Sequence, residues 1–139
     1  MHEAFAGVDH ILHAGDVGSI DVITELEAIA PVSAVIGNTD YGIQLPETRL
    51  EEFWGEKIMI HHIVDVDFPS QHVRTILNSD QPDIVVFGHT HVPFEERRDR
   101  VWYINPGSAS RPRDNSSASV AILDFSEHIP KLQHRTLVD

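Results

Sequence analysis

The stretch DIVVFGHTHVPF, residues 83–94, decides how this chain is read. Four apolar residues, Ile84 to Phe87, run into one glycine and then into two histidines separated by a threonine. The apolar run has the length and β-branched content of a buried strand. Imidazole is the commonest protein metal ligand and titrates near neutral pH. Two of them where a buried strand ends suggest a site, provided that similar residues stand at the ends of other strands.

They do. Three more apolar runs end in a polar or glycine break: DHILHAGD at 9–16, APVSAVIGNTD at 30–40 and EKIMIHH at 56–62. Between the first two, SIDVITELEAIA (19–30) repeats apolar residues at helical steps, with Gly18 or Ser19 as a cap candidate. Between the third run and PDIVVFGHTH (82–91), SQHVRTILNSD (70–80) does the same, with Ser70 as the cap. The alternation predicts βαβ units and a parallel sheet. Residues 42–55 are expected to form a loop with a short helix. After His91, strands are expected at 92–98 and 101–105 around the turn RDR, then a polar loop, INPGSASRPRDNSS, and a terminal hairpin of SVAILDF and KLQHRTLV. The fold class is α/β.

Ligands of open α/β sheets bind at the carboxyl ends of the strands. There this chain carries Asp16, Asn38, His61–His62, and His89 with His91, all expected on one edge of one sheet. Each has a dull reading alone: a helix cap for Asp16, a turn for Asn38, a core histidine for His61. Together they form a mixed carboxylate, amide and imidazole donor set. Such a set suits manganese, iron, zinc or nickel rather than an all-oxygen calcium cage.

Composition narrows the function. The 139 residues fit one domain, here 1–139, with room for a sizeable core. The absence of cysteine removes thiolate metal sites, cysteine nucleophiles and disulfide frameworks. A formal charge of −12 with only 10 Lys and Arg argues against general nucleic-acid binding and favours cations. No apolar run approaches a membrane span, and the first ten residues lack a signal-peptide layout, so a cytoplasmic protein is expected.

The ordered set GD, GNTD, HH and GHTH, followed by INPGSASRPR, resembles the calcineurin-like metallophosphoesterases, and within them the small bacterial and archaeal phosphodiesterases. The resemblance covers essentially the whole chain. It implies a four-layer αββα sandwich, two mixed sheets flanked by helices. It implies two divalent metals, manganese first among them, and hydrolysis of a small phosphodiester by a metal-activated hydroxide. On this resemblance Asp16 bridges the metals, Asn38, His61 and His89 complete one site, and His91 serves the other. Asp40 tunes the shell and joins Asp16, Asn38 and His61 as a catalytic candidate.

Three departures from the family pattern are visible. The opening D-x-H motif is missing from 1–139, so the domain is expected to lack its first strand, with residues 1–8 as the end of the first helix. His2, Asp9 and His10 do not replace the motif. At 61–63 the family's H-G-H reads HHI; His61 is the preferred ligand and His62 the alternative. Thr39 stands where larger relatives carry a histidine that protonates the leaving group. The unpaired strand neighbours predict a homodimer. Two other readings are a non-catalytic scaffold, as in the retromer subunit of this superfamily, and a single-metal remnant.

Overall fold

The computed structural model describes residues 3–110 and 117–137. Their elements in chain order are β1 (Ile11–His13), α1 (Ile20–Glu27), β2 (Val32–Ala34), β3 (Thr48–Phe53), β4 (Glu56–His61), α2 (Gln71–Asp80), β5 (Ile84–Val86), β6 (Pro93–Arg98), β7 (Val101–Pro106), β8 (Ser119–Asp124) and β9 (Lys131–Thr136). His2 and residues 111–116 of the polar loop lie outside the described residues.

The central layer is a mixed five-stranded sheet of order β3-β4-β5-β7-β6. Its middle strands β4, β5 and β7 run parallel, and β3 and β6 are antiparallel hairpin partners at the edges. Period-two alternation sorts the side chains onto two faces. Ile58, Ile60, Ile84, Val86, Trp102 and Ile104 share one apolar cluster with Val35, against which Leu12 and Ala14, and Leu123 and Leu132, pack. Met59, Val85 and Tyr103 share the other with Val73, and Ile76 and Leu77 of α2 pack against it. On the first face lie two small sheets, a parallel pair β1-β2 and an antiparallel pair β8-β9. Beyond β1-β2, α1 packs through Ile23 and Leu26. The layers are thus α1, the two small sheets, the five-stranded sheet and α2, the αββα order of the family that the motifs resemble.

Both predicted helices and the strands after His91 form as expected. Ser70 caps α2 by accepting from the Val73 N–H at 3.3 Å. Ser19 holds the extended N-cap conformation of α1 without a side-chain bond.

Three expectations are corrected. Residues 48–53 are a strand rather than a short helix. They pair with β4 through a two-residue turn, Trp54–Gly55, both at positive φ, which is the hairpin geometry whose twist matches the strands. Residues 3–7 form turns rather than a helix end, closed by Ala6 N–H to Glu3 O and Val8 N–H to Phe5 O. The strand ends belong to two layers: β1 and β2 stand in one sheet, β4 and β5 in another. Each small pair buries one face on the large sheet, so the ligand-type residues converge from opposite layers instead of lining one edge.

Candidate metal centre

The chain turns sharply after β1 and after β5. After β1, Gly15 and Asp16 both take positive φ, 104° and 55°. After β5, His89 and His91 do the same at 69° and 62°. Left-handed conformations are costly for residues with a Cβ and cluster at functional sites. Here they aim three polar side chains back over the strand ends. Gly37 permits the closest approach: a Cβ there would overlap the Asp16 backbone N and Oδ1.

The convergence is concrete. His62 Nε2 lies 2.8 Å from Asn38 Oδ1 and 3.3 Å from Asp16 Oδ2. His89 Nδ1 lies 3.1 Å from the same Asn38 oxygen, and His91 Nε2 lies 3.8 Å from Asp16 Oδ2. The His62 and His89 rings meet edge to face at 5.3 Å. Asp16, Asn38, His89 and His91 are therefore brought together as the sequence suggests.

His61 is not. Its Nδ1 lies 2.9 Å from Thr48 Oγ1, which also meets His72 Nε2 at 3.0 Å. The preference for His61 over His62 is reversed by strand parity. Ile58 and Ile60 face the small sheets; Met59 and His61 therefore face α2, and His62 turns back toward Asp16 and Asn38. Counting the alternation from EKIMIHH would have found it. Burial, with His72 beside it, holds the His61 pKa below the ordinary value.

The surrounding residues fix the geometry. His62 is only 4% exposed, and its Nδ1–H donates to Ala14 O at 2.7 Å. That bond sets the tautomer, the usual second contact of a metal-ligating histidine. With Nδ1 bound to Ala14 O, Nε2 is the ring atom that faces Asn38 Oδ1 and Asp16 Oδ2. One ring nitrogen and two oxygens thus face one another, a mixed nitrogen and oxygen set of the kind that suits a divalent cation. Their separations of 2.8 and 3.3 Å match neighbouring ligands in a shell of radius about 2.1 Å. Among the described residues no three His, Asp or Glu groups close on one point by themselves. The nearest partner of His62 Nε2 is the Asn38 amide oxygen rather than a further imidazole or carboxylate.

Asp40 does not enter the donor cluster. Its carboxylate accepts from the N–H groups of Val17 (3.1 Å), Gly18 (2.9 Å) and Gly37 (2.9 Å), tying the β1 loop to the β2 loop. Burial alone would raise its pKa; the bonds from Gly18, Gly37 and Val17 outweigh burial and hold it below the ordinary Asp value. Asp16 behaves likewise: against burial, the Thr39 hydrogen bonds and the nearby His62 and His91 hold its carboxyl low. His13, not singled out in the sequence, accepts from the Gly15 N–H at 3.3 Å, and burial lowers its pKa. The INPGS segment supports the histidine loop from below. Buried Asn105 donates to Gly88 O at 3.1 Å and Thr90 Oγ1 at 3.0 Å, and accepts from Gly107 N–H at 2.9 Å.

This donor set and layer order can be compared with known proteins. The calcineurin-like phosphoesterase superfamily domain matches residues 1–128. The chain is 41% identical over 116 residues to a probable metallophosphoesterase of Methanothermobacter thermautotrophicus, covering 81% of this chain and 67% of that protein. It is 32% identical over 117 residues to a phosphodiesterase of Methanocaldococcus jannaschii, covering 72% and 67%. The chain thus spans about two thirds of the length of these relatives. A conserved Streptococcus pneumoniae protein, described as a predicted phosphoesterase, superposes with a TM-score of 0.78 at 26% identity, over 94% of this chain and 75% of that one. Among the described residues, no helix is long and apolar enough to cross a membrane. The chain belongs to the calcineurin-like phosphoesterase superfamily.

Proposed function

We propose that this chain is a metal-dependent phosphodiesterase acting on a small phosphate diester. The observation that carries the reading is the convergence of His62 Nε2, Asn38 Oδ1 and Asp16 Oδ2, with both oxygens within 3.3 Å of the imidazole nitrogen. Asp16, Asn38, His62 and His89 would hold a divalent metal, with His91 reaching the far side of the same carboxylate. The mixed oxygen and nitrogen donors, with no thiolate, favour manganese, with iron, zinc or nickel as alternatives. A bound divalent ion supplies Lewis acidity toward phosphoryl oxygens and makes water acidic enough to act as nucleophile near neutral pH.

The chain's own groups do the rest. Ala14 O orients His62. Thr39 N–H donates to Asp16 Oδ1 at 3.0 Å, leaving Oδ2 directed at the histidines. Asp40 holds the two loops in register. Thr39 cannot protonate a departing alkoxide, so diesters with weakly basic leaving groups are the better substrates.

The test uses bis-para-nitrophenyl phosphate. Manganese-loaded protein should hydrolyse it, chelator-treated protein should not, and Asn38→Ala should lose both activity and bound metal. Equal rates with and without chelator defeat the reading. We also expect a homodimer: among the described residues each strand of the β1-β2 and β8-β9 pairs has one neighbour, and open edges favour association. Concentration-independent monomeric mass in light scattering would contradict that expectation.

A further inference from the structure

A second site lies at the other end of the five-stranded sheet, where β4, β5 and β7 begin. A cleft of about 160 Å³ opens there beneath the β8–β9 hairpin tip at Ile129–Pro130. Trp102, 5% exposed, lines it, and its Nε1–H has no acceptor among the described residues. A buried donor left unpaired calls for a partner.

The charged lining is ordered by the sheet. Glu56 opens β4 and Asp83 precedes β5; Arg97 stands on β6 directly opposite Trp102, and Arg100 sits in the β6–β7 turn. Since the strand order is β4-β5-β7-β6, the two carboxylates fall on one side of Trp102 and Arg97 on the other, with Arg100 in the turn that leads into β7. The Arg97 guanidinium lies 4.0 Å from the Trp102 ring centroid. Arginine ion pairs among the described residues use Arg49 and Arg98, not Arg97 or Arg100. Among the described residues, Asp83 uses one oxygen on the Lys57 N–H at 2.9 Å. The cleft is therefore lined by charges of both signs and by a residue whose donor is unsatisfied.

We propose that this cleft binds a small zwitterion of the ω-amino-acid class. Its carboxylate accepts from Trp102 Nε1–H between Arg97 and Arg100, and its ammonium donates to Glu56 and Asp83. Neighbouring strands stand about 4.8 Å apart, and β7 separates the strands of Asp83 and Arg97. An α-amino acid, with adjacent charges, cannot reach both walls; a ligand with several methylenes between its charges can. The exposed Ile129 side chain offers those methylenes an apolar cover. This site is independent of the metal-type cluster.

The chain has two tryptophans, so Trp54→Phe leaves Trp102 as the sole reporter. Titration with γ-aminobutyrate should change its emission saturably, with glycine, acetate and methylammonium each at least tenfold weaker. Arg100→Ala, in an exposed turn, and the isosteric Glu56→Gln should each weaken γ-aminobutyrate at least tenfold while keeping the thermal midpoint. No saturable change overturns the proposal. So does equal affinity for acetate or inorganic phosphate, which would mark a plain oxyanion site, or the absence of any effect in both variants.

Discussion

The two sheets that meet at the histidine cluster are built differently. In the five-stranded sheet, Ile58–Ile60, Ile84–Val86 and Trp102–Ile104 are all buried, with apolar layers on both faces. The parallel pair β1-β2 has three residues per strand, of which only Ile11, Ser33 and Ala34 are buried. His62, His89 and His91 follow strands of the thick sheet, whereas Asp16 and Asn38 follow strands of the thin one. The cluster is thus a seam, and its geometry depends on what ties the layers. Beside the apolar packing of Val35, Leu12 and Ala14 on the large sheet, polar ties cross the seam: His62 to Ala14 O, Arg49 Nε–H to Ala34 O at 2.9 Å, and Ser33 Oγ–H to Glu51 at 2.9 Å. The thick sheet carries most of the fully buried apolar residues, and Asp16 and Asn38 follow the thin pair, which local changes are expected to disturb first.

The largest expected effect is in the thick sheet. Ile60→Ala, at a fully buried position, should cost about 2–5 kcal/mol by urea unfolding. Leu12→Ala, partly buried on β1, should cost clearly less. Equal losses would break the contrast between the layers.

Gly37→Ala comes next. A Cβ meeting the Asp16 backbone should cost about 1–3 kcal/mol through overpacking and push the two loops apart. Metal affinity should fall even in protein that remains folded. A variant with unchanged affinity would show that the loops need not approach so closely.

Protonation gives the smallest effect. Burial holds His13 below its unfolded pKa of 6.5, so the unfolded chain binds the extra proton. Stability of metal-free protein should therefore decline as pH falls from 6.5 toward the folded pKa of His13, with His61 adding in the same direction. Asp40, held below 3.8, contributes stability that is present above that value and lost only as pH falls through its folded pKa. Urea midpoints should drop between pH 7.5 and 5.5, and His13→Gln should reduce the drop. A flat profile in the parent protein would remove His13 from the account.

Much of this was legible in the sequence because it is written in local pattern. Helical spacing marks α1 and α2, and the Val/Ile runs mark β1, β2, β4 and β5. The ends of those runs carry Asp16, Asn38, His89 and His91, which do converge. What escaped depends on partners distant in sequence. β3 is an edge strand with mixed polarity whose identity comes from pairing with β4. Residues 3–7 carry helix-compatible side chains, yet close only turns. The division of strand ends between two layers follows from which faces bury against one another, not from the order of the runs. His62 was within reach: parity along β4 assigns it once Asp16 and Asn38 are placed on the Ile58 and Ile60 face.

Metal stoichiometry in two adjacent variants tests the central claim most directly. Manganese-loaded parent protein should retain about one tightly bound ion per chain after desalting, and His62→Ala should lose most of it. His61→Ala, which removes a ring facing Thr48 and His72, should retain the ion and the diesterase activity. Retention in His62→Ala with loss in His61→Ala, or equal retention in both, would contradict the seam between Asp16, Asn38 and His62 as the metal centre.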